Sequence, residues 1–279
     1  MSTVAMSENT NNEMLVQLEL TKMMSYSKDR YLKSLIVQVV QNHPNLGVEI
    51  KKILQDTQIN RETDQITKLL EDAKFPNYPD HKTLAEFDRS QLSGDNLSLY
   101  EEIITLNFLT DSNPNLVFYG IPEQGMETLA IGLGDLICRA GHSVRYIDFY
   151  ELMNVFNFKT KDAKKNVLYN ELMKTNCLII NDFAGPLIYD PDLISELLLL
   201  LQARSKAHGE AFVAHKHNPG RKMSPFSTIV TSCFAPIQWT KRLVGDEPVR
   251  TLHIINQILG KGQQLTLNID TAETTTTAQ

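Results

Sequence analysis

NLVFYGIPEQGMETLAIGLGDLICRAG, residues 115–141, is the stretch whose reading decides the fold. A short apolar run, Leu116–Tyr119, leads into Gly120, four residues pass, and Gly125 follows. Leu129, Leu133, Leu136 and Ile137 then recur at helical spacing before Gly141, a residue suited to the turn that closes a helix. Strand, glycine-spaced loop and helix form the setting in which G-x-x-x-x-G-K-[ST] holds phosphates. There the loop amides and helix N-terminus cradle the anion, Lys reaches the β- and γ-phosphates, and the hydroxyl binds Mg²⁺. The two glycines have that spacing here, but Met126 stands at the Lys position and Glu127 at the hydroxyl position. Met126 removes a cation, and Glu127 sets a carboxylate beside the same phosphates. Thr128 comes one residue late, which turns its side chain about 100° around the helix. Two readings follow from the loop alone: a disabled phosphate site, or a plain strand-to-helix turn without a ligand.

Working outward, the apolar runs Val144–Ile147, Leu178–Ile180 and Thr228–Val230 alternate with longer helix-like stretches. Such alternation implies crossover units and a mostly parallel sheet, so 111–270 is predicted to be an α/β domain. Upstream, 13–74 reads as a small helical module. Leu32, Leu35, Ile36, Val39 and Val40 form one helix stripe, and Pro44 and Gly47 interrupt the chain. Ile50, Ile53 and Leu54 form a second stripe, and Ile66, Leu69 and Leu70 a third. Residues 75–110 open on FPNYPDHKTLAEFD, whose two prolines and Asp80 predict an extended connector. The ends, 1–12 and 271–279, have too little to bury and read as disordered tails.

The 279 residues, 42% hydrophobic and 22% charged, suit one core plus a smaller module. No apolar run approaches the roughly 20 residues of a membrane span. The N-terminus, MSTVAMSENTNNEM, lacks the basic-then-apolar order of a secretory signal, so a cytoplasmic protein is expected. Cys138, Cys177 and Cys233 are too scattered for a disulfide framework or a local zinc site and read as small core residues. The net charge of −6 gives no global nucleic-acid signal, so DNA would have to be met by local patches.

Four segments, in order, resemble the IstB-like family of transposition helper ATPases and the related DnaC-type helicase loaders. LLEDAKFPNYPDHKTLAEFD (69–88) is similar to the family's connector, and LAIGLGDLICRAGHSVRYID (129–148) to its post-loop helix and second strand. LIINDFAG (178–185) resembles the Walker B strand LLIIDDFG, and TIVTSCFAPIQWTKRLVGDEP (228–248) the segment TIITSN…W…IGDP. The matches cover about residues 65–260. The resemblance implies a P-loop AAA+-like domain, a five-stranded parallel sheet flanked by helices with a small helical lid, behind an N-terminal helical module that meets a partner. It implies ATP with Mg²⁺ as cofactor, DNA as a partner, and delivery or stimulation of a transposase, or service to a replication protein by helicase loading.

Carried over residue by residue, the implied site departs from the family. Gly120 and Gly125 match, but the lysine corresponds to Met126, with Glu127 and Thr128 following. The Mg²⁺-associated Asp corresponds to Asn181 with Asp182 as the adjacent acid. One residue over, Asp182 takes the metal position and Phe183 the acidic one. The water-orienting residue corresponds to Cys233, and the late arginine falls near Asn256 and Gln257, with Arg250 nearest. Trp239 matches a family Trp and reads as core. Because stabilising developing charge supplies most of phosphoryl-transfer catalysis, hydrolysis is not expected, and Asp182 is a remnant. Without the arginine that reaches a neighbour, a monomer or a nucleotide-independent oligomer is expected.

The basic candidates lie elsewhere. Arg204, Lys206, Lys216, Arg221 and Lys222, with Glu210 as the one acid and His208, His215 and His217 among them, read as a loop insertion. That loop would either lie on DNA phosphates or be a solvated surface. No nearby Cys, Asp or Glu completes a metal set for His215 and His217. Lys159, Lys161, Lys164 and Lys165 open a helix, as an exposed face or a second DNA contact. The sequence is therefore read as a helper protein with a defective nucleotide site, acting through DNA or a partner. The alternatives are an active ATPase of the same family, an interaction module that binds neither nucleotide nor DNA, and a decayed element.

Overall fold

Leu116 and Phe118 of strand β1 (Leu116–Gly120) enter one buried cluster and Val117 another, so the strand is covered on both faces. The same alternation holds for β2 (Val144–Asp148), β3 (Cys177–Asn181) and β4 (Ser227–Ser232), where Ile179 and Ile229 join the first cluster and Ile180 and Val230 the second. With β5 (Gln263–Leu267) they form a sheet of order β2-β3-β4-β1-β5, every pairing parallel. Two-sided cover is what parallel sheets require.

The computed structural model describes residues 38–39, 46–92, 94–121, 125–157, 163–220, 222–243, 248–259 and 263–267. The chain divides into two compact units, 1–65 and 66–279. The stripe at 32–40 falls almost wholly outside the described residues. The other two stripes belong to one unbroken helix, α1 (Gly47–Ala73). No Pro or Gly stands between them, and the Thr57 and Thr63 hydroxyls bond back to the carbonyls of Ile53 and Ile59, at 2.7 and 2.9 Å.

The stretch read as an extended connector is folded into the core. Between Phe75 and Thr110 the chain forms 3₁₀ turns at Leu84–Glu86, Arg89–Gln91 and Asn107–Thr110, and helix α2 (Asp95–Ile103). Phe75, Phe87, Tyr100, Ile103 and Phe108 are buried in the cluster that holds Leu116 and Phe118. Five large side chains of this kind outweigh the local preference of two prolines for extended backbone.

Helix α3 (Met126–Arg139) covers the same face, and two of its glycines let the preceding chain lie directly on it. A β-carbon on Gly132 would stand 2.5 Å from Leu84 N, and one on Gly134 would stand 2.8 Å from the Phe75 ring. The contact is locked by His81, whose buried Nε2 lies 3.0 Å from Asp135 Oδ1. Arg139 bonds the other oxygen of Asp135 at 2.6 Å. Residues 75–84 thus form a strap across α3.

The opposite face is covered by α4 (Phe149–Asn157), α5 (Ala163–Lys174), α6 (Pro191–His217) and α8 (Pro248–Leu259), beside the short α7 (Trp239–Arg242). Helix α6 corrects the reading of 204–222 as a loop: residues 204–217 are its second half. Asp190 caps it by accepting from Asp192 N at 2.9 Å, Pro191 opens it, and Gly209 is the single weak point before Asn218.

Arg204, read as a DNA contact, is instead 1% exposed. Its guanidinium donates to Leu172 O at 2.7 Å, Thr175 O at 2.9 Å and Thr228 Oγ1 at 3.3 Å, and also to Ser227 O. It ties the end of α5 to the start of β4 and, being buried, cannot reach out to a partner. Burial lowers its pKa to about 10, so it stays charged at neutral pH. Among the described residues no helix is long and apolar enough to cross a membrane. Replacing Arg204 by Met strands three buried carbonyls and should lower the unfolding free energy by about 3 kcal/mol. Lys206→Met, on the exposed side of the helix, should stay within about 0.5 kcal/mol. Urea midpoints of the two variants check this.

Candidate functional site

Parallel strands joined by crossovers leave a crevice at their C-terminal ends, where successive connections leave in opposite directions. Here that edge holds a cavity of about 410 Å³. Gly125, Met126, Glu127 and Thr128 line it from the β1–α3 junction, and Asn181 and Asp182 from the end of β3. Thr231, Ser232 and Cys233 line it from the end of β4, and Lys82 from the strap. Sequence-predicted site residues from two separated segments, 125–128 and 181–182, therefore meet in one place. Gly120 ends β1 and does not line the cavity.

The junction keeps its backbone geometry. Gly125 has φ +84° as the residue that opens α3, a conformation that favours glycine, and the Phe87 ring lies 3.3 Å from where a β-carbon would stand. The side chains have other partners. Met126 is 7% exposed and belongs to the hydrophobic core while also touching the cavity, and Thr128 is buried. Glu127 accepts a 2.6 Å hydrogen bond from the hydroxyl of Tyr146 on β2. Burial first, then Glu127, holds that hydroxyl protonated far above its usual range.

A chain of hydrogen bonds runs along the strand ends. Thr231 Oγ1 donates to Asn181 Oδ1 at 2.6 Å, and Asn181 Nδ2 donates to Asp148 Oδ1 at 2.9 Å. The Asp182 amide donates to Thr231 Oγ1 at 3.1 Å. Both ends of the Asn181 amide are thus engaged, whereas a carboxylate at this position could not donate to Asp148. Asp182 follows in left-handed conformation, φ +50°, and its carboxylate lies so close over Gly185 that a β-carbon there would overlap it. Partial burial, then the charge of Asp148, raise the pKa of Asp182, with Arg242 pulling the other way.

Arg242 and Lys82 escape sequence reasoning. Arg242 donates to the carbonyls of Ala184 and Gly185, holding the turn that carries Asp182, and its guanidinium lies 3.9 Å over the Phe234 ring. No sequence spacing signals that role. Lys82 belongs to the KTLAEF phrase, and its approach to the phosphate loop depends on the strap. Trp239 is core: it lies against Phe183, centroids 4.6 Å apart, and donates to Ser232 Oγ and Phe234 O, each at 3.0 Å. Cys138 and Cys177 are buried, their thiols pushed up to about 12 by burial, while Cys233 lines the cavity.

The basic candidates do not gather into one loop. Lys206 and Lys216 are exposed on α6, the latter's Nζ 4.6 Å over the Phe212 ring, and Lys222 Nζ donates to Ala140 O at 3.3 Å. His208 is buried: Nδ1 accepts from Phe226 N and Nε2 donates to Asp111 O at 2.7 Å, which fixes a neutral ring. Arg221, Lys159 and Lys161 lie outside the described residues, as do the side chains of Lys164, Lys165 and Arg250. Asn256 is exposed on α8, and neither it nor Gln257 lines the cavity.

As placed, these residues do not present the lysine and hydroxyl with which a G-x-x-x-x-G-K-[ST] loop holds phosphate and Mg²⁺. The loop cation is replaced by a core methionine, the hydroxyl by a carboxylate bonded to Tyr146, and Asn181 is bound at both ends.

A family model described as IstB-like ATP binding protein matches residues 14–213. No curated protein matches the chain. Among solved structures the chain is similar to a crystal structure of DnaI, 16% identical, with a TM-score of 0.51 over 66% of this chain and 90% of that one. It is also similar to the DnaC helicase loader (12% identity, 64% and 96% covered, TM-score 0.46). A third similar structure is AMPPCP-bound DnaA from Aquifex aeolicus (13% identity, 68% and 51% covered, TM-score 0.47). At 16% identity the likeness to DnaI is one of fold.

The raised pKa of Asp182 fixes a sign. The folded chain keeps this proton at pH values where the unfolded chain, at the ordinary 3.8, has released it, so the carboxylate costs stability as pH rises above that value. Asp182→Asn should therefore unfold at higher urea than wild type at pH 7. The pH-dependent part of that advantage should shrink as pH falls towards 3.8. The gain is small, because the carboxylate keeps contact with solvent.

Proposed function

This chain belongs to the IstB-like ATP-binding protein family, and we propose that it is a helper protein of that family whose hydrolytic site has been dismantled. It would act through contacts with DNA, or with a protein such as a transposase or a replication protein. The observation that carries this reading is the hydrogen-bonded edge of the sheet. Glu127 is bonded to Tyr146, and Asn181 bridges Thr231 and Asp148, where hydrolysis would need groups free to hold Mg²⁺ and orient water. The core packing around this edge is intact, which fits a fold retained for binding rather than chemistry.

DNA contact is assigned to the exposed Lys206, Lys216 and Lys222, because net charge alone would repel the duplex. Phosphate release from Mg-ATP should stay at background for the purified full chain. Fluorescence anisotropy with duplex DNA should show affinity that falls steeply with salt. Triple replacement of the three lysines by Gln should weaken binding and flatten the salt slope by up to about three. Turnover that disappears in Asp182→Ala would instead identify an active ATPase. Salt-insensitive behaviour with recovery of protein partners alone would identify an interaction module.

A further inference from the structure

Three segments distant in sequence meet at one buried imidazole. His208 lies on α6, one helical turn beyond Arg204, and is 2% exposed. Its Nε2 donates to Asp111 O, in the turn before β1, at 2.7 Å. Its Nδ1 accepts from Phe226 N, just ahead of β4, at 3.3 Å. A backbone carbonyl cannot donate and a backbone amide cannot accept, so only the neutral ring with its proton on Nε2 satisfies both. A second proton would sit on Nδ1, facing the Phe226 N–H, and would break that bond.

The surroundings of the ring oppose that second proton. Burial, first, lowers the pKa of His208 below its usual 6.5, and the Arg204 guanidinium acts in the same direction. Asp111 acts against them, through its carbonyl and its carboxylate. The Phe212 ring stacks alongside, centroids 6.3 Å apart, and the segment before β4 meets the imidazole with a backbone amide.

The bond to Phe226 fastens a stretch that forms no helix or strand, residues 222–226. Its other ties are Lys222 Nζ donating to Ala140 O at 3.3 Å, Asn176 Nδ2 donating to Pro225 O at 3.1 Å, and the buried Met223. We infer that His208 is an acid-sensitive latch: protonation of its ring unfastens residues 222–226 from α6, and Lys222 with them, while the sheet stays folded. The latch needs no nucleic acid, so it stands or falls apart from the DNA reading.

The sign follows from the geometry. With the latch open the ring takes up its second proton as pH falls through 6.5, whereas the closed ring holds out to lower pH. The bond is therefore secure above pH 6.5. Well below that value each pH unit favours opening about tenfold, until the closed ring itself is protonated.

Hydrogen exchange of the full chain tests this at the Phe226 amide, beside Ile180 in the central strand β3, as protection relative to unstructured chain at each pH. Phe226 should be less protected than Ile180, and its protection should fall severalfold between about pH 7 and pH 5.5. In His208→Gln the side-chain amide offers an acceptor and a donor but does not titrate, so protection at Phe226 should no longer follow pH. Should that variant fail to fold, magnetic resonance of the wild-type His208 ring serves instead: Nδ1 should be unprotonated at pH 7, and its protonation should coincide with loss of Phe226 protection. Equal protection of Phe226 and Ile180 at every pH would mean that the joint opens only with the whole fold, and would overturn the inference. So would a wild-type Phe226 amide indifferent to pH, or a fall that persists in His208→Gln. If that persistent fall vanished in His142→Gln, the switch would belong to His142, the half-buried ring beside Lys222.

Discussion

A parallel sheet buried on both faces confines its polar chemistry to the strand ends, and that constraint organises this molecule. Val117, Phe118, Ile179, Ile180, Ile229 and Val230 fill the middle of the central strands with buried apolar side chains. Thr231, Asn181 and Asp148 come to the C-terminal edge, where each finds a partner on the neighbouring strand. In the related nucleotide-hydrolysing design, such groups are held ready for a metal and a water. Here they satisfy one another. An amide at Asn181 can donate and accept at once, so it closes the chain of bonds along the edge.

The second organising feature is the strap. It is fixed at its start by Phe75 against Gly134, in its middle by His81 on Asp135, and at its end by Leu84 against Gly132. These contacts join residues far apart in the chain, for His81 and Asp135 a separation of 54. The chain before the first strand thereby becomes one wall of the site, and Phe87 comes to pack on Gly125, the residue that opens the loop helix.

Charge is used inside the fold as much as on its surface. Arg204 joins α5 to β4 through backbone carbonyls, and Arg242 holds the turn after β3 in the same manner. Carbonyls at loop and helix ends have few other partners once buried, and a planar guanidinium can satisfy several together. Arg204, buried, is therefore not available to nucleic acid, although a count of basic residues in the sequence treats it like Lys206 or Lys216.

The α/β order, the parallel sheet and the strand–loop–helix junction were legible in residues 115–141 and in the apolar runs after them, because burial on two faces and the 3.6-residue helix repeat mark a sequence directly. That Met126 rather than a lysine follows Gly125 was legible too, since spacing alone places that position. The connector was not: prolines are local signals, whereas the pull of Phe75, Phe87 and Tyr100 into the core is exerted by residues far along the chain. The second half of α6 was misread for a related reason, a run of polar residues being equally compatible with a loop and with a helix that rests one side on a sheet. Sequence by itself determined which side chains this protein carries to the strand ends. Only the tertiary structure decided that Asn181 and Glu127 bond to their neighbours, that Arg204 points inward and that Lys82 reaches the cavity, because each of these depends on distances between segments that no local pattern encodes.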